Sequence, residues 1–222
     1  MRDEKTPLRA VLFDLDGTLT DPGEGITRSV EYALRAYGIE VKDRRELYPF
    51  IGPPLADSFS RFYGFSEEEA KRAVEKYREY YRDRGIFENL VYNGIPELLD
   101  ALKKAGLSLL LATSKPEEFA QRILERFGLL SRFDTVAGAT MDGSRVEKED
   151  VIRHALERAC LTPRECVMVG DRRFDVEGAR GMGMPAIAVL WGYGDREELA
   201  AAKPLALAES TEDLLSRILA LL

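Results

Sequence analysis

The first apolar run in the chain is short and unbroken. Ala10-Val11-Leu12-Phe13 holds no polar residue, and Asp14-Leu15-Asp16-Gly17-Thr18 follows at once. Four apolar, partly branched and aromatic residues closed by turn formers predict a buried strand. From about Thr20 the period changes. Ile26, Val30, Ala33, Leu34 and Tyr37 recur at helical spacing until Gly38, and a second helix is predicted around 55–62. A third runs from Ser66 through Ala70, Val74, Tyr77 and Tyr81, with Ser66 and Glu69 spaced as a capping box. From Gly94 onward the texture alternates: helix 95–104, strand 107–112, helix 117–127, strand 133–137, helix 148–160, strand 165–169. A helix near 175–182, a strand over 185–190 and a terminal helix after Thr211 complete it.

Strands that alternate with helices predict an α/β fold: a doubly wound parallel sheet with a Rossmann-like core, covered on both faces. The helical block interrupts that alternation right after the first strand. The expected organisation is therefore an α/β core of residues 1–20 and 88–222 with an inserted all-helical domain over 21–87. Its linkers, 20–25 and 85–94, are rich in glycine or turn formers.

Composition narrows the partners. At 222 residues, with 45% hydrophobic and 32% charged positions, the chain fits a globular protein with one good core and a smaller second module. A net charge of -7 argues against a nucleic-acid polymer or an anionic membrane as partner. Cys160 and Cys166, too few for a disulfide framework, are expected as free, buried thiols. The opening MRDEKTP has no basic-then-apolar signal and no apolar run reaches bilayer length, so the expected compartment is the cytoplasm.

Chemistry is expected at strand ends, because open parallel sheets bind ligands beyond the carboxyl ends of their strands. The first strand ends in Asp14-Leu15-Asp16-Gly17-Thr18, a later one in Thr113-Ser114-Lys115, and a third in Gly170-Asp171 with Asp175 four residues on. Lys148 opens a helix after the turn Asp142-Gly143-Ser144. Asp14 and Asp16, two apart on a strand, are expected on one face, where two like charges resist joint ionisation unless a cation or proton joins them. Carboxylates at 14, 16 and 171 are the hard oxygen ligands that magnesium takes, while Thr113 and Lys148 offer a hydroxyl and a cation to phosphoryl oxygens. A carboxylate beside magnesium and phosphate can attack phosphorus and form an aspartyl-phosphate. Each motif alone reads more simply as a turn, a cap or a solvated charge. Their joint occurrence at strand ends argues for a site.

These motifs resemble the haloacid dehalogenase-like hydrolases over almost the full chain. The family's DxDGT signature stands as Asp14-Leu15-Asp16-Gly17-Thr18, its apolar strand ending in a hydroxyl as Leu109-Leu110-Leu111-Ala112-Thr113, its lysine as Lys148, and its acidic motif as Gly170-Asp171-Arg172-Arg173-Phe174-Asp175. The resemblance implies that Asp14 is the nucleophile and Asp16 the general acid and then base. It implies Mg2+ held by Asp14, the backbone carbonyl of Asp16 and Asp171, with Asp175 in support. Thr113, Ser114 and Lys148 would hold the phosphoryl group, Lys148 also steadying Asp14, and the helical insertion is placed like the family's smaller cap. The stretch FDLDGTLTDPGEGITRSV and the segment Phe50-Ile51-Gly52-Pro53-Pro54-Leu55 look most like the phosphoglycolate phosphatase and nucleotidase-like branch.

The expected activity is thus a magnesium-dependent phosphatase acting on a small phosphorylated metabolite, phosphoglycolate-like or a nucleoside 5'-monophosphate, through an aspartyl-phosphate. A sugar phosphomutase is an alternative, against which Thr18 counts because mutase-like members tend to carry Val there. A catalytically silent binding protein on the same scaffold is another, and the intact motif set counts against it. Discrimination among substrates is assigned to the stiff cap segment Gly52-Pro53-Pro54. His154, among Val151, Ile152, Ala155 and Leu156, reads as a structural or surface residue, and Trp191 and Tyr193 either border the site or contact a partner.

Overall fold

The computed structural model describes residues 7–222; the polar start at residues 1–6, assigned above to the core, lies outside the described residues. The chain divides into two compact units, one running to Thr20 and resuming over Val91–Leu222, the other Asp21–Leu90. Strands among the described residues are β1 (Ala10–Phe13), β2 (Thr20–Asp21), β3 (Leu90–Val91), β4 (Ser108–Pro116), β5 (Thr135–Ala139), β6 (Cys166–Gly170), β7 (Ala186–Val189) and β8 (Ala206–Ala208). Helices are α1 (Gly23–Arg35), α2 (Leu55–Tyr63), α3 (Glu67–Tyr81), α4 (Ile95–Lys104), α5 (Glu117–Arg126), α6 (Lys148–Ala159), α7 (Arg173–Gly181), α8 (Arg196–Ala202) and α9 (Thr211–Leu219). The short β2 and β3 pair where the chain passes between the units.

In the first unit the other six strands form one sheet in the order β5-β4-β1-β6-β7-β8, with neighbours parallel. The chain works outward from β1 on one side, then returns to build the other, so the order reverses beside β1. That reversal opens a crevice at the strand ends. Register sets Phe13 beside both Leu111 and Val169, which aligns the ends of β1, β4 and β6. Ala10, Leu12, Leu110, Ala112, Cys166 and Met168 share a core cluster with Val151 and Ile152 of α6 and Val176 of α7. The alternate residues Val11, Phe13, Leu109, Leu111, Val167 and Val169 are equally buried and belong to the opposite face. Burial on both faces is why these strands read as unbroken apolar runs.

Several details differ from the sequence expectation. The strand expected to stop at 112 runs on to Pro116, with a register shift between Thr113 and Pro116. The sequence reading did not foresee α8 or β8. The first has seven residues, held at its start by the Asp195 side chain accepting from the Glu198 N–H, and the second is a three-residue edge strand. Only Cys166 is buried. Cys160 is exposed, because α6 ends at Ala159 and Cys160 closes it in the left-handed conformation, φ 53°. His154 is half-buried on α6.

The second unit is helical. Ser66 caps α3 as the sequence expects: its hydroxyl accepts from the Glu69 N–H, and the Glu69 carboxylate accepts from the Ser66 N–H. Phe50 and Phe59 meet edge-on at 5.0 Å and Phe59 stacks on Phe65 at 5.8 Å, giving this unit an aromatic core. Between a 3₁₀ turn at Arg44–Phe50 and α2, Gly52 takes φ 106° and Pro54 immediately precedes the first residue of α2.

Candidate active site

All of the groups described next belong to the first unit. The β1 ladder extends one residue past the strand, the Asp14 N–H donating to the Val169 carbonyl at 2.9 Å. The chain then folds back tightly: the Leu19 and Thr20 N–H groups both donate to the Leu15 carbonyl, and the Gly17 N–H to the Thr20 carbonyl at 2.7 Å. Gly17 has φ 84°, and a Cβ there would lie 2.1 Å from Asp171 Oδ2. Both facts require glycine. The turn separates the fates of the two aspartates that strand periodicity places on one face, since β1 ends before either is reached.

Asp14 is bonded to Lys148, the first residue of α6. Lys148 Nζ donates to Asp14 Oδ1 at 2.6 Å and to the Ala112 carbonyl at 3.0 Å, and lies 2.8 Å from Asp175 Oδ1. The last contact is an ion pair without hydrogen-bond direction, since Asp175 Oδ1 has no hydrogen-bond partner. Asp175 Oδ2 accepts from the Arg172 N–H at 3.1 Å, tying the first turn of α7. Asp171, wholly buried, accepts from the Tyr193 N–H at 2.7 Å and the Thr18 hydroxyl at 3.3 Å. Behind it lies Gly192, where a Cβ would come within 2.3 Å of Asp171 Cβ. One carboxylate oxygen from each of Asp14, Asp171 and Asp175 lies within 4.8 Å of the others.

Asp16 is held apart from this cluster. Its Oδ2 accepts from Lys115 Nζ, while its Oδ1 is buried without a hydrogen bond. Lys115 sits on the irregular end of β4, and its N–H donates to the Thr113 hydroxyl at 3.3 Å.

Burial and like charge set the ionisation of these groups. Burial pushes Asp171 well above the ordinary aspartate value, and Asp175 and Asp14 push it further. Asp175 is pushed up to about 6 by burial, with Lys148 opposing. Burial also raises Asp16, against the pull of Lys115. For Lys148 burial acts downward, yet Asp14 and Asp175 hold it above the ordinary lysine value. Three buried carboxylates with a single lysine among them are short of positive charge. Their oxygen donors and that deficit fit a hard divalent cation.

The structure therefore brings together Asp14, Lys148, Asp171 and Asp175, and sets Asp16 beside them with its own lysine. Thr113 is buried and Ser114 half-buried at the same end of β4. Gly52, Pro53 and Pro54 lie in the second unit. Two contributors had no settled role in the sequence reading, which left Trp191 and Tyr193 either bordering the site or contacting a partner. Lys115 was visible at a strand end but unassigned. The loop after β7 acts through Tyr193 N–H and through Trp191, whose indole N–H donates to the Thr18 carbonyl at 3.1 Å. Its signal was Trp191-Gly192-Tyr193-Gly194 directly beyond a strand end, the position the crevice rule marks.

Residues 11–189 match the family model described as haloacid dehalogenase-like hydrolase. The chain is 48% identical over 204 residues to a 5'-nucleotidase of Pseudomonas aeruginosa, covering 92% of each. It is 44% identical over 184 residues to the tyrosine-protein kinase PtkA of Mycobacterium tuberculosis, covering 83% of this chain and 62% of that one. A solved structure described as a predicted phosphatase from Clostridium acetobutylicum superposes with a TM-score of 0.95 at 46% identity, covering 97% of this chain and 100% of that one.

Proposed function

The chain belongs to the haloacid dehalogenase-like hydrolases, and on that footing we propose a phosphatase that hydrolyses a small phosphate monoester through a phosphorylated Asp14. The observation that carries this reading is the separation of the two aspartates. Asp14 lies in a cluster with Lys148, Asp171 and Asp175, whereas Asp16 keeps one buried oxygen without a partner. That difference supports bonding to phosphorus as the role of Asp14 and moving a proton as the role of Asp16.

In the first half-reaction an Asp14 oxygen bonds to phosphorus, the bond from phosphorus to the leaving oxygen breaks with its electron pair going to that oxygen, and Asp16 gives it a proton. In the second, Asp16 takes a proton from water as the water oxygen bonds to phosphorus. The Asp14–phosphorus bond breaks and its pair returns to Asp14. Thr113, Ser114 and Lys148 hold the phosphoryl oxygens. We assign Mg2+ to Asp14, Asp171 and the backbone carbonyl of Asp16, with Asp175 in support; when bound it offsets the carboxylate charge and polarises the phosphoryl oxygens.

These core groups recognise only what every monoester offers. Selection of the leaving group is assigned to the helical unit acting as a cap, and within it to Gly52, Pro53 and Pro54, whose rigidity lowers the ordering cost of a contact. The substrate is a phosphoglycolate-like acid or a nucleoside 5'-monophosphate, and the similarity to a nucleotidase supports the latter. A free metabolite as substrate fits a cytoplasmic enzyme; no helix among the described residues is long and apolar enough to cross a membrane.

The test is release of inorganic phosphate from a panel of phosphorylated metabolites and a generic aryl phosphate, with and without Mg2+. Magnesium-dependent release that disappears in a folded Asp14→Asn variant is expected, a loss on the order of 10⁶-fold for a nucleophile. Near-normal turnover by that variant contradicts the mechanism. Replacing Gly52-Pro53-Pro54 by three alanines should alter relative kcat/KM across the metabolites far more than the aryl phosphate rate. An even loss across the panel removes the selectivity role.

A further inference from the structure

We propose that Lys115 is a positioning residue for the proton-transfer steps, holding Asp16 by Oδ2 so that Oδ1 is the oxygen that gives and takes the proton. The inference rests on the reading of Asp16 as acid and base.

Four observations lead to it. The Lys115 side chain is only 6% exposed, and an ammonium buried that deeply is strongly disfavoured unless it is paired. Its paired oxygen is Asp16 Oδ2. The other Asp16 oxygen, Oδ1, is buried and accepts no hydrogen bond. Finally, Lys115 lies in the stretch of β4 where the register shifts between Thr113 and Pro116, an irregularity of the kind that re-aims side chains at strand ends. Lys148 does not fill this role, because its ammonium is engaged by Asp14, Asp175 and the Ala112 carbonyl.

An ammonium carries three donors and no acceptor, so a protonated carboxyl cannot place its hydrogen on the oxygen that faces it. With Oδ2 committed to Lys115, the proton resides on Oδ1. It leaves Oδ1 for the departing oxygen as the phosphorus–oxygen bond breaks, and Oδ1 receives one from water in the second half-reaction. Without Lys115 the carboxylate is free to rotate, and either oxygen can turn away from the reacting group.

A graded series of leaving groups tests this. A p-nitrophenyl ester departs with little need of a proton, phenyl needs more, and an alkyl ester needs it most. The readout is kcat/KM, which reports the first phosphoryl transfer, for wild type, Lys115→Met, Lys115→Arg and Asp16→Asn. Lys115→Met should lose about 10²-fold on the alkyl ester, within the range of an acid–base contribution, and far less on the p-nitrophenyl ester. Lys115→Arg, which keeps a cationic donor, should recover part of the alkyl-ester rate. Asp16→Asn should show the same gradient, more steeply. Should the Met variant fail to fold, Lys115→Gln, with one amide donor, carries the same comparison and the same expected gradient. An equal loss on all three esters shows a role in folding alone and overturns the proposal. A gradient absent from Asp16→Asn places the failure in the acid–base reading, and the Lys115 inference falls with it.

Discussion

Lys148 and Lys115 both bury an ammonium against an aspartate of the same turn, yet they are mounted and loaded differently. Lys148 begins a regular helix and serves two carboxylates and a carbonyl. Lys115 rides an irregular strand end and donates to Asp16 Oδ2. The first arrangement compensates charge: without it, Asp14 and Asp175 share a buried space with Asp171 and no cation. The second arrangement orients, leaving an oxygen unpartnered at the cost of an unmade hydrogen bond. A buried acceptor left unsatisfied costs about 1–3 kcal/mol, a strain more easily understood at a reacting group than in a structural pair.

The largest expected effect breaks the first pair. Lys148→Met leaves two buried carboxylates unmatched, and urea denaturation without divalent cation should show a loss of roughly 3–5 kcal/mol. Saturating Mg2+ should restore part of it, because a cation that binds only the native state adds to stability. An unchanged midpoint means the cluster is solvated or protonated and the charge argument fails. Asp16→Asn comes next. Turnover on an alkyl ester should fall about 10²- to 10⁴-fold, while Mg2+ affinity measured by calorimetry stays within a few-fold, because the carboxylate is bonded to Lys115 and stands outside the cluster. Loss of Mg2+ affinity with an unchanged rate at saturating metal would erase the distinction between the two aspartates.

The smallest effect concerns pH. Asp175 is pushed up to about 6 in the fold, so between its unfolded value near 4 and that point the native state binds more protons than the unfolded chain. Its contribution to stability is full below pH ~4 and is lost as pH rises through about 6. Denaturation free energies for wild type minus Asp175→Asn, measured from pH 4 to 7 without divalent cation, should decline across that window. Saturating Mg2+ should flatten the decline by favouring the ionised form. A difference that grows with pH in the metal-free protein would reverse the assignment.

Much of this site could be read from residue order because its carboxylates directly follow buried apolar runs, and a parallel sheet aligns the ends of such runs. Phe13, Leu111 and Val169 are register neighbours, so Asp14, Thr113 and Asp171 all lie within two residues of one level. What stayed hidden works through features that residue type does not encode. Tyr193 contributes its backbone N–H to Asp171, not its ring. The aim of Lys115 depends on a register shift that no periodicity reports. Asp14 and Asp16 look like one face of a strand, but the strand ends at Phe13 and the turn through Gly17 sends them to different lysines. The edge elements α8 and β8 were missed because seven and three residues are too few to display a period. Cys160 was misplaced because one left-handed residue at a helix end decides its exposure.

Division of labour between the two aspartates is tested most directly by trapping the intermediate. Asp16→Asn is mixed with p-nitrophenyl phosphate and Mg2+, quenched in acid, and its peptides are mapped by mass spectrometry after borohydride reduction, which converts a phosphorylated aspartate to homoserine. This leaving group departs without a proton donor whereas water still requires the missing base, so the phosphoryl group should accumulate. The account predicts a burst of nitrophenolate approaching one per protein, followed by slow release, and homoserine at position 14. A burst with the modification at another residue, or steady release of nitrophenolate with position 14 unmodified, would contradict it.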